Sequence, residues 1–331
     1  MWAYQLVGGP GQIKRIDLET PTPGDNEVVV EFKAAAINAR DASILAGHYP
    51  ITYPRTALSD GAGTIISVGK KIEDFRVGDN VISCFYSNWE SGSANSDNHR
   101  FSLGSETDGV LCEQFCLPNT AIVSMPEHLS FAEAATLSCS GLTAWSALFT
   151  KGDLKSGEHV LIQGTGGVSI FALQFAKLAG AEVTIISSSD EKLVRAKEMG
   201  ADHLVNYTTH PNWAEQVQRG SRGGLDLALE VGGAETFGQT LQCMKVGGKI
   251  CVIGALTGLV AEISLIEVLM RHLQLNAITV GHRQDFIAMN KAISNAGMKP
   301  VIETAYALEQ VDAAYQQMAK GGHFGKLVIE K

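Results

Sequence analysis

Residues 159–169 read HVLIQGTGGVS, an apolar run that breaks into three glycines and a serine, with the helical pattern VSIFALQFAKLAG directly behind it. A strand that turns on glycine straight into an apolar helix has to lay that helix back on the strand, which leaves few folds open. The pattern then repeats through EVTIIS (182–187), DEKLVRAKEMG (190–200), HLVNY (203–207), LDLALEVGG (225–233), TFGQTLQCMK (236–245) and GKICVIG (248–254). Such alternation predicts parallel strands with helical crossovers, an α/β doubly wound sheet. In the first helix Val168, Phe171, Ala172 and Phe175 share one face; Gly180 stops it, and Gly200 stops the next.

The first ~120 residues are different in kind. Short β-rich runs, EVVVEFKAA (27–35), GAGTIISVG (61–69) and DNVISCFY (79–86), are separated by Gly, Pro and Asp turns and predict a small antiparallel barrel or sandwich. The polar stretch 87–109 is rich in Ser, Asn and Gly and predicts a surface loop. FAEAATLSCSGLTAWSALF (131–149) predicts a buried apolar helix; after ~265 come a helix, the strand pattern LQLNAITVG, two amphipathic helices and a last strand, GKLVIEK. The pattern changes place domain limits at 1–125, 126–265 and 266–331, and 331 residues suit two domains.

With 45% apolar and 18% charged residues the composition is that of a globular protein, and a net charge of −9 argues against a nucleic-acid or membrane-surface partner. No apolar run reaches 18 residues, and MWAYQLVGGPGQ lacks a signal peptide's basic flank and apolar core, so a cytosolic location is expected. Six cysteines (84, 112, 116, 139, 243 and 251) show no framework spacing; Cys112 and Cys116 lie on a predicted strand without a nearby Cys/His pair, so no structural zinc is expected there.

The glycine loop sits where a dinucleotide loop belongs: after a strand, opening a helix, inside a βαβ unit. Gly164 allows the turn, Gly166 lets the chain approach a pyrophosphate, and Ser169 takes the place of the third glycine. Thr165, Gly167 and Val168 complete the loop, whose amides face the phosphates at the helix start. An NAD site ends its second strand with a carboxylate; here that position is Ser187. Ser187, Ser188 and Lys192 suit a 2′-phosphate, so NADP(H) is preferred over NAD(H), while Ser188 with Glu191 also reads as a capping box.

Taken with INARDASILAGHYP (37–50), SDGAGTIISVG (59–69), VGDNV (77–81), SCSGLTAWSAL (138–148), SSSDEKLVRAKEMGADHLVNY (187–207) and GGHFGKLVIEK, the chain resembles the medium-chain dehydrogenase/reductase superfamily. The resemblance is closer to its zinc-free quinone oxidoreductases and enone reductases. It implies a GroES-like β-barrel catalytic domain, a Rossmann domain and a C-terminal segment that extends the Rossmann sheet and returns to the catalytic domain. The catalytic-zinc ligands of the zinc enzymes fall on Asn38, Ser59 and Cys139, and only the last keeps a usable ligand atom. The stretch 87–109, where the family's structural zinc loop would lie, contains no cysteine. The same resemblance puts Lys192 and Tyr207 on the 2′-phosphate and Thr143 near the nicotinamide. It sets Val231, Gly232, Ile253 and Gly254 where the cofactor crosses, Val280 and Gly281 at its nicotinamide end, and Lys326 at the pyrophosphate, with Arg283 able to assist. It also implies a homodimer formed by edge-to-edge extension of the Rossmann sheet.

Without zinc a plain carbonyl loses its Lewis acid, whereas a quinone or the C=C bond of an α,β-unsaturated carbonyl spreads the incoming charge. The expected reaction is hydride transfer from NADPH to such an acceptor. Asn38, Tyr49 and Asp60 are the candidate catalytic residues; Asp41 belongs to an Arg/Asp turn, His48 has no visible carboxylate partner, and Phe85, Tyr86 and Trp89 suit a flat substrate. Two alternatives stay open: an NADPH-binding protein with little catalysis, and an alcohol dehydrogenase-like enzyme using a metal through Cys139 and His48.

Overall fold

The computed structural model describes residues 1–221 and 223–331. The chain forms two compact units, Met1–Leu142 with Gly281–Lys331, and Thr143–Val280. Sequence pattern changes at 125/126 and 265/266, whereas the units part at 142/143 and 280/281. One reason is that the helix Phe131–Ala135 packs on Glu27–Ile37 and Asp60–Val68 and so stays with the first unit.

The first unit is built on Glu27–Ile37. This strand's run of three valines is buried, so both of its faces are covered there, and it has pairing partners along both edges. The seven-stranded sheet runs Ile302–Ala307, Lys326–Glu330, Glu27–Ile37, Asp60–Val68, Asn80–Ser83, Ile122–Ser124, with Gln114–Pro118 also on Glu27–Ile37. All pairs are antiparallel except Ile302–Ala307 with Lys326–Glu330. Phe32, Ile37, Leu58, Ile65, Leu111 and Leu327 centre its core. The strand Ile302–Ala307 lies between the two predicted amphipathic helices and has no sequence signal, since none of its side chains is fully buried. The 87–109 stretch is only partly a surface loop. Residues 90–97 are exposed, but Ser102–Ser105 are buried, with Leu103 in the core and its carbonyl accepting from Arg40 at 2.9 Å.

The second unit is a six-stranded, wholly parallel sheet in the order His203–Asn206, Glu182–Ser187, His159–Gln163, Leu225–Glu230, Met244–Val252, Gln274–Ala277. Numbered along the chain this is 3-2-1-4-5-6, the Rossmann order, in which ligands bind at the carboxyl ends of the strands. The helix Gly167–Leu178 buries Ile170 and Leu173 as well as Phe171, Ala172 and Phe175 of the predicted face, while Val168 is half-buried, so the buried side is wider than its pattern indicated. Residues 131–149 are helical as predicted but contain π turns at Leu137–Gly141 and Ser146–Thr150. Among the described residues no helix is long and apolar enough to cross a membrane.

Candidate active site

In the second unit the glycine loop follows His159–Gln163 and opens Gly167–Leu178, with Gly166 at the N-cap. Gly164 has φ +71, a left-handed conformation that a side chain disfavours, and its amide donates to Ile186 O at 2.7 Å. Ser169, in place of the third glycine, is buried and donates its hydroxyl to Gln163 O at 2.7 Å, so the substitution adds a strand–helix tie.

The neighbouring turn is held from below by a network that the sequence reading missed. Glu230 is fully buried at the end of Leu225–Glu230. Its carboxylate accepts from Gln163 Nε2, Thr236 Oγ1, Thr240 Oγ1 and the amide of Gly233. Gln163 Oε1 accepts from the amides of Val231 and Gly232, each at 3.1 Å. Gly232 has no room for a side chain, since a Cβ there would stand 2.2 Å from Thr236 Oγ1. Ile253 and Gly254 donate their amides to Glu230 O at 2.8 and 3.2 Å. Of the expected cofactor residues, Val231 and Gly232 are therefore fixed by the Gln163 side chain, which the Glu230 carboxylate holds, and Ile253 and Gly254 by the Glu230 backbone carbonyl; a polar residue ending each of two apolar strands was the available signal.

At the other half of the sheet the Tyr207 amide donates to Ser187 O at 3.1 Å, placing these two expected phosphate-binding positions side by side on adjacent strand ends. Tyr207 is exposed, Lys192 is half-buried and Ser188 is exposed. The cap of the following helix is a correction: Ser189, not Ser188, is the N-cap and accepts from the Lys192 amide. Ser188 is thus not held by the capping role that competed with phosphate binding. Thr143 is buried; Val280 is buried at φ +72, strained for a β-branched residue, and Gly281 begins the returning segment of the first unit. The loop amides and the Cβ-free turn fit a dinucleotide.

In the first unit three strands converge on a polar cluster. Leu327 pairs with Ile37 and Asp60 with Ala36, so Lys326, Asn38 and Asp60 meet at one end of the sheet. The Lys326 ammonium is buried and donates to Ile37 O at 2.9 Å, Asn38 Oδ1 at 2.5 Å and Ser140 Oγ at 3.3 Å. These bonds engage its donors inside the first unit, whereas the resemblance implies a place at the pyrophosphate. The ammonium also fixes the Asn38 amide with its oxygen inward, leaving Nδ2 buried and turned toward the Asp60 carboxylate without a well-formed hydrogen bond. Asp60 accepts from Ser59 Oγ at 2.6 Å and from the Cys139 amide at 3.2 Å; the π turn presents that amide. Burial raises Asp60 and lowers Lys326, each opposed by the other's charge. Burial likewise pushes Asp41 up to about 6, while its Oδ2 accepts the Asn38 amide at 2.8 Å.

The expected zinc positions do not fit zinc. Asn38 offers an oxygen already bonded to an ammonium, Ser59 a hydroxyl donating to Asp60, and Cys139 a thiol that burial holds well above its ordinary value. Among the described residues no cluster of three metal-capable side chains includes Cys139 or His48. His48 and Tyr49 are exposed. Arg283 donates to Ile122 O at 2.9 Å and begins a helix whose N-cap is His282. Phe85, Tyr86 and Trp89 do form a connected aromatic row, with ring centroids 4.8 and 5.7 Å apart, and His282 extends it at 5.8 Å from Trp89.

Residues 24–127 match the alcohol dehydrogenase GroES-like domain and residues 167–295 the zinc-binding dehydrogenase domain. A zinc-type alcohol dehydrogenase-like protein of Schizosaccharomyces pombe is 39% identical over 99% of this chain and 97% of its own. An acryloyl-coenzyme A reductase of Sulfurisphaera tokodaii is 29% identical over 98% of each chain. The solved structure of a putative alcohol dehydrogenase from Sinorhizobium meliloti superposes with a TM-score of 0.93 at 38% identity, covering 100% of this chain and 98% of that one. Fold, order of domains and relatives agree: the chain belongs to the medium-chain dehydrogenase/reductase superfamily and is a nicotinamide-dependent oxidoreductase.

Proposed function

We propose that this chain is an NADPH-dependent reductase of the zinc-free branch, acting on quinones or on the C=C bond of α,β-unsaturated carbonyl compounds. The observation that carries this reading is Lys326, whose ammonium bonds Asn38 where the zinc enzymes are expected to keep a metal ligand. A fixed positive charge there supports an acceptor whose developing anion is delocalised and needs only hydrogen bonds.

When bound, NADPH supplies a hydride from its nicotinamide C4. Asn38 Nδ2 donates to the acceptor's oxygen, and the ammonium on Oδ1 polarises the amide so that this donor strengthens as negative charge grows. Ser140 Oγ donates to the same Asn38 oxygen at 3.2 Å and steadies the side chain. The aromatic row through Phe85, Tyr86 and Trp89 supports a flat acceptor. A nearby acid or water then protonates the enolate or phenolate. Ser187, Ser188, Lys192 and Tyr207 hold the 2′-phosphate, and the loop 164–168 holds the pyrophosphate.

The names of the Schizosaccharomyces and Sinorhizobium relatives favour a second reading, interconversion of alcohol and aldehyde. Stopped-flow mixing of NADPH-loaded protein with quinones, enones and simple aldehydes tests both. The reduced-nicotinamide absorbance is expected to decay with the quinones and enones and to ignore chelator. Decay abolished by chelator supports a metal-dependent alcohol dehydrogenase, and a flat trace with every acceptor supports a binding protein.

We also propose a homodimer. The strand Gln274–Ala277 is an edge of the parallel sheet, and Leu256, Leu259, Val260, Leu265 and Leu269 in the preceding segment are exposed. An unpaired edge near exposed apolar side chains suits pairing with a second copy.

A further inference from the structure

His159, Glu182 and His203 each open a strand, and the three strands are adjacent and parallel. Register sets His159 opposite Glu182 and Thr184 opposite His203. Residues two apart on a strand share a face, so all four side chains stand on one face of the sheet. His203 Nε2 lies 2.6 Å from Glu182 Oε1, and His159 Nδ1 lies 3.9 Å from Glu182 Oε2. One donor atom from each of the three lies within 4.8 Å of the other two.

We propose that these three side chains form a divalent transition-metal site of the zinc class, separate from the nicotinamide chemistry. Tetrahedral zinc with ligand bonds of about 2.0–2.2 Å sets its donors roughly 3.3 Å apart, and the two observed spacings bracket that value. Turning the Glu182 carboxylate, whose side chain is 47% exposed, converts the ion pair into a three-ligand cup. His159 is oriented for this: its Nε2 bonds Thr184 Oγ1 at 2.7 Å, and with Nε2 as donor the Nδ1 lone pair faces Glu182. Asp202, although adjacent, already accepts from Lys177 Nζ and the Val183 amide and supplies charge but no ligand. The fourth position opens to solvent past Glu182 and His203. Because this site is at the amino ends of strands whose carboxyl ends carry Gly164 and Ser187, the metal acts as a clamp on strand ends and not in catalysis.

The full chain, stripped with chelator and dialysed, is titrated with Zn²⁺ by calorimetry and with Co²⁺ by visible absorption. One saturable equivalent and a tetrahedral Co²⁺ spectrum are expected. E182Q and H203A, both at half-exposed positions, are expected to weaken Zn²⁺ binding by about tenfold or more, while C139S binds as wild type. NADPH oxidation by E182Q should equal wild type, with or without metal. No saturable binding, or binding unchanged in both E182Q and H203A, or lost in C139S, overturns the proposal.

Discussion

Lys326 Nζ lies 2.5 Å from Asn38 Oδ1, although 288 residues separate the two in the chain. The last strand of the protein thus decides which end of an early side chain faces inward. If that orientation carries charge stabilisation, K326M should lower single-turnover hydride transfer by about 100-fold and leave NADPH affinity unchanged. A loss of NADPH affinity without a loss of rate would instead return Lys326 to the pyrophosphate.

Ser187 and Tyr207 are joined through the backbone, and Lys192 follows on the next helix. The variant pair K192A and Y207F should each raise the NADPH dissociation constant, K192A by about 10–100-fold as a charge-assisted contact is lost. NADH affinity should not move. Fluorescence titration with both nucleotides measures the difference.

Asp41 gives a pH signature. Its folded-state value of about 6 exceeds the ordinary 3.8 of an aspartate, chiefly through burial. Between those values the folded chain keeps a proton that the unfolded chain has released, so this group's contribution is full below the unfolded pKa and is lost as pH rises through about 6. D41N has no such loss and should gain on wild type by up to ~3 kcal/mol between pH 4 and 7. Urea unfolding at both pH values measures this; a constant difference between the two proteins would rule it out.

Glu230 receives four donors in a fully buried position. E230Q turns one acceptor oxygen into a donor facing other donors, and should cost about 3 kcal/mol of stability. Thermal unfolding gives the stability change. NADPH titration should show weaker binding, since the Val231–Gly232 turn loses its support.

The exposed edge makes an assembly prediction. A double variant, L269E with L275E, places like charges beside the unpaired strand and should shift the particle from two chains to one in light scattering. Wild-type protein that runs as a monomer at micromolar concentration would refute the dimer.

The parallel sheet was legible because its strands are apolar runs alternating with helices that end in glycine, and the loop because Gly164 must turn left-handed. The edge strand Ile302–Ala307 was not, since an edge without fully buried side chains leaves no hydrophobic pattern. The strand ends that carry the expected cofactor positions were legible because local sequence fixes them. The polar cluster could not, because Asn38, Asp60, Ser140 and Lys326 come from four separate segments, and only pairing register brings them together. The bonding of Lys326 within that cluster is hidden for the same reason, and Ser188 reads as a cap from the sequence because Ser189 beside it has the same chemistry.

The Glu230–Gln163 network has a consequence for redesign. It supports the turn after the fourth strand of the Rossmann order, whereas Ser187 and Tyr207 stand on the second strand and just past the third. On the proposed NADPH reading, nucleotide preference and scaffold integrity are therefore written in different places. A swap from a phosphorylated to an unphosphorylated dinucleotide, by an acidic residue at 187 with Lys192 removed, is open to mutation without loosening the buried fixture on which the same cofactor rests.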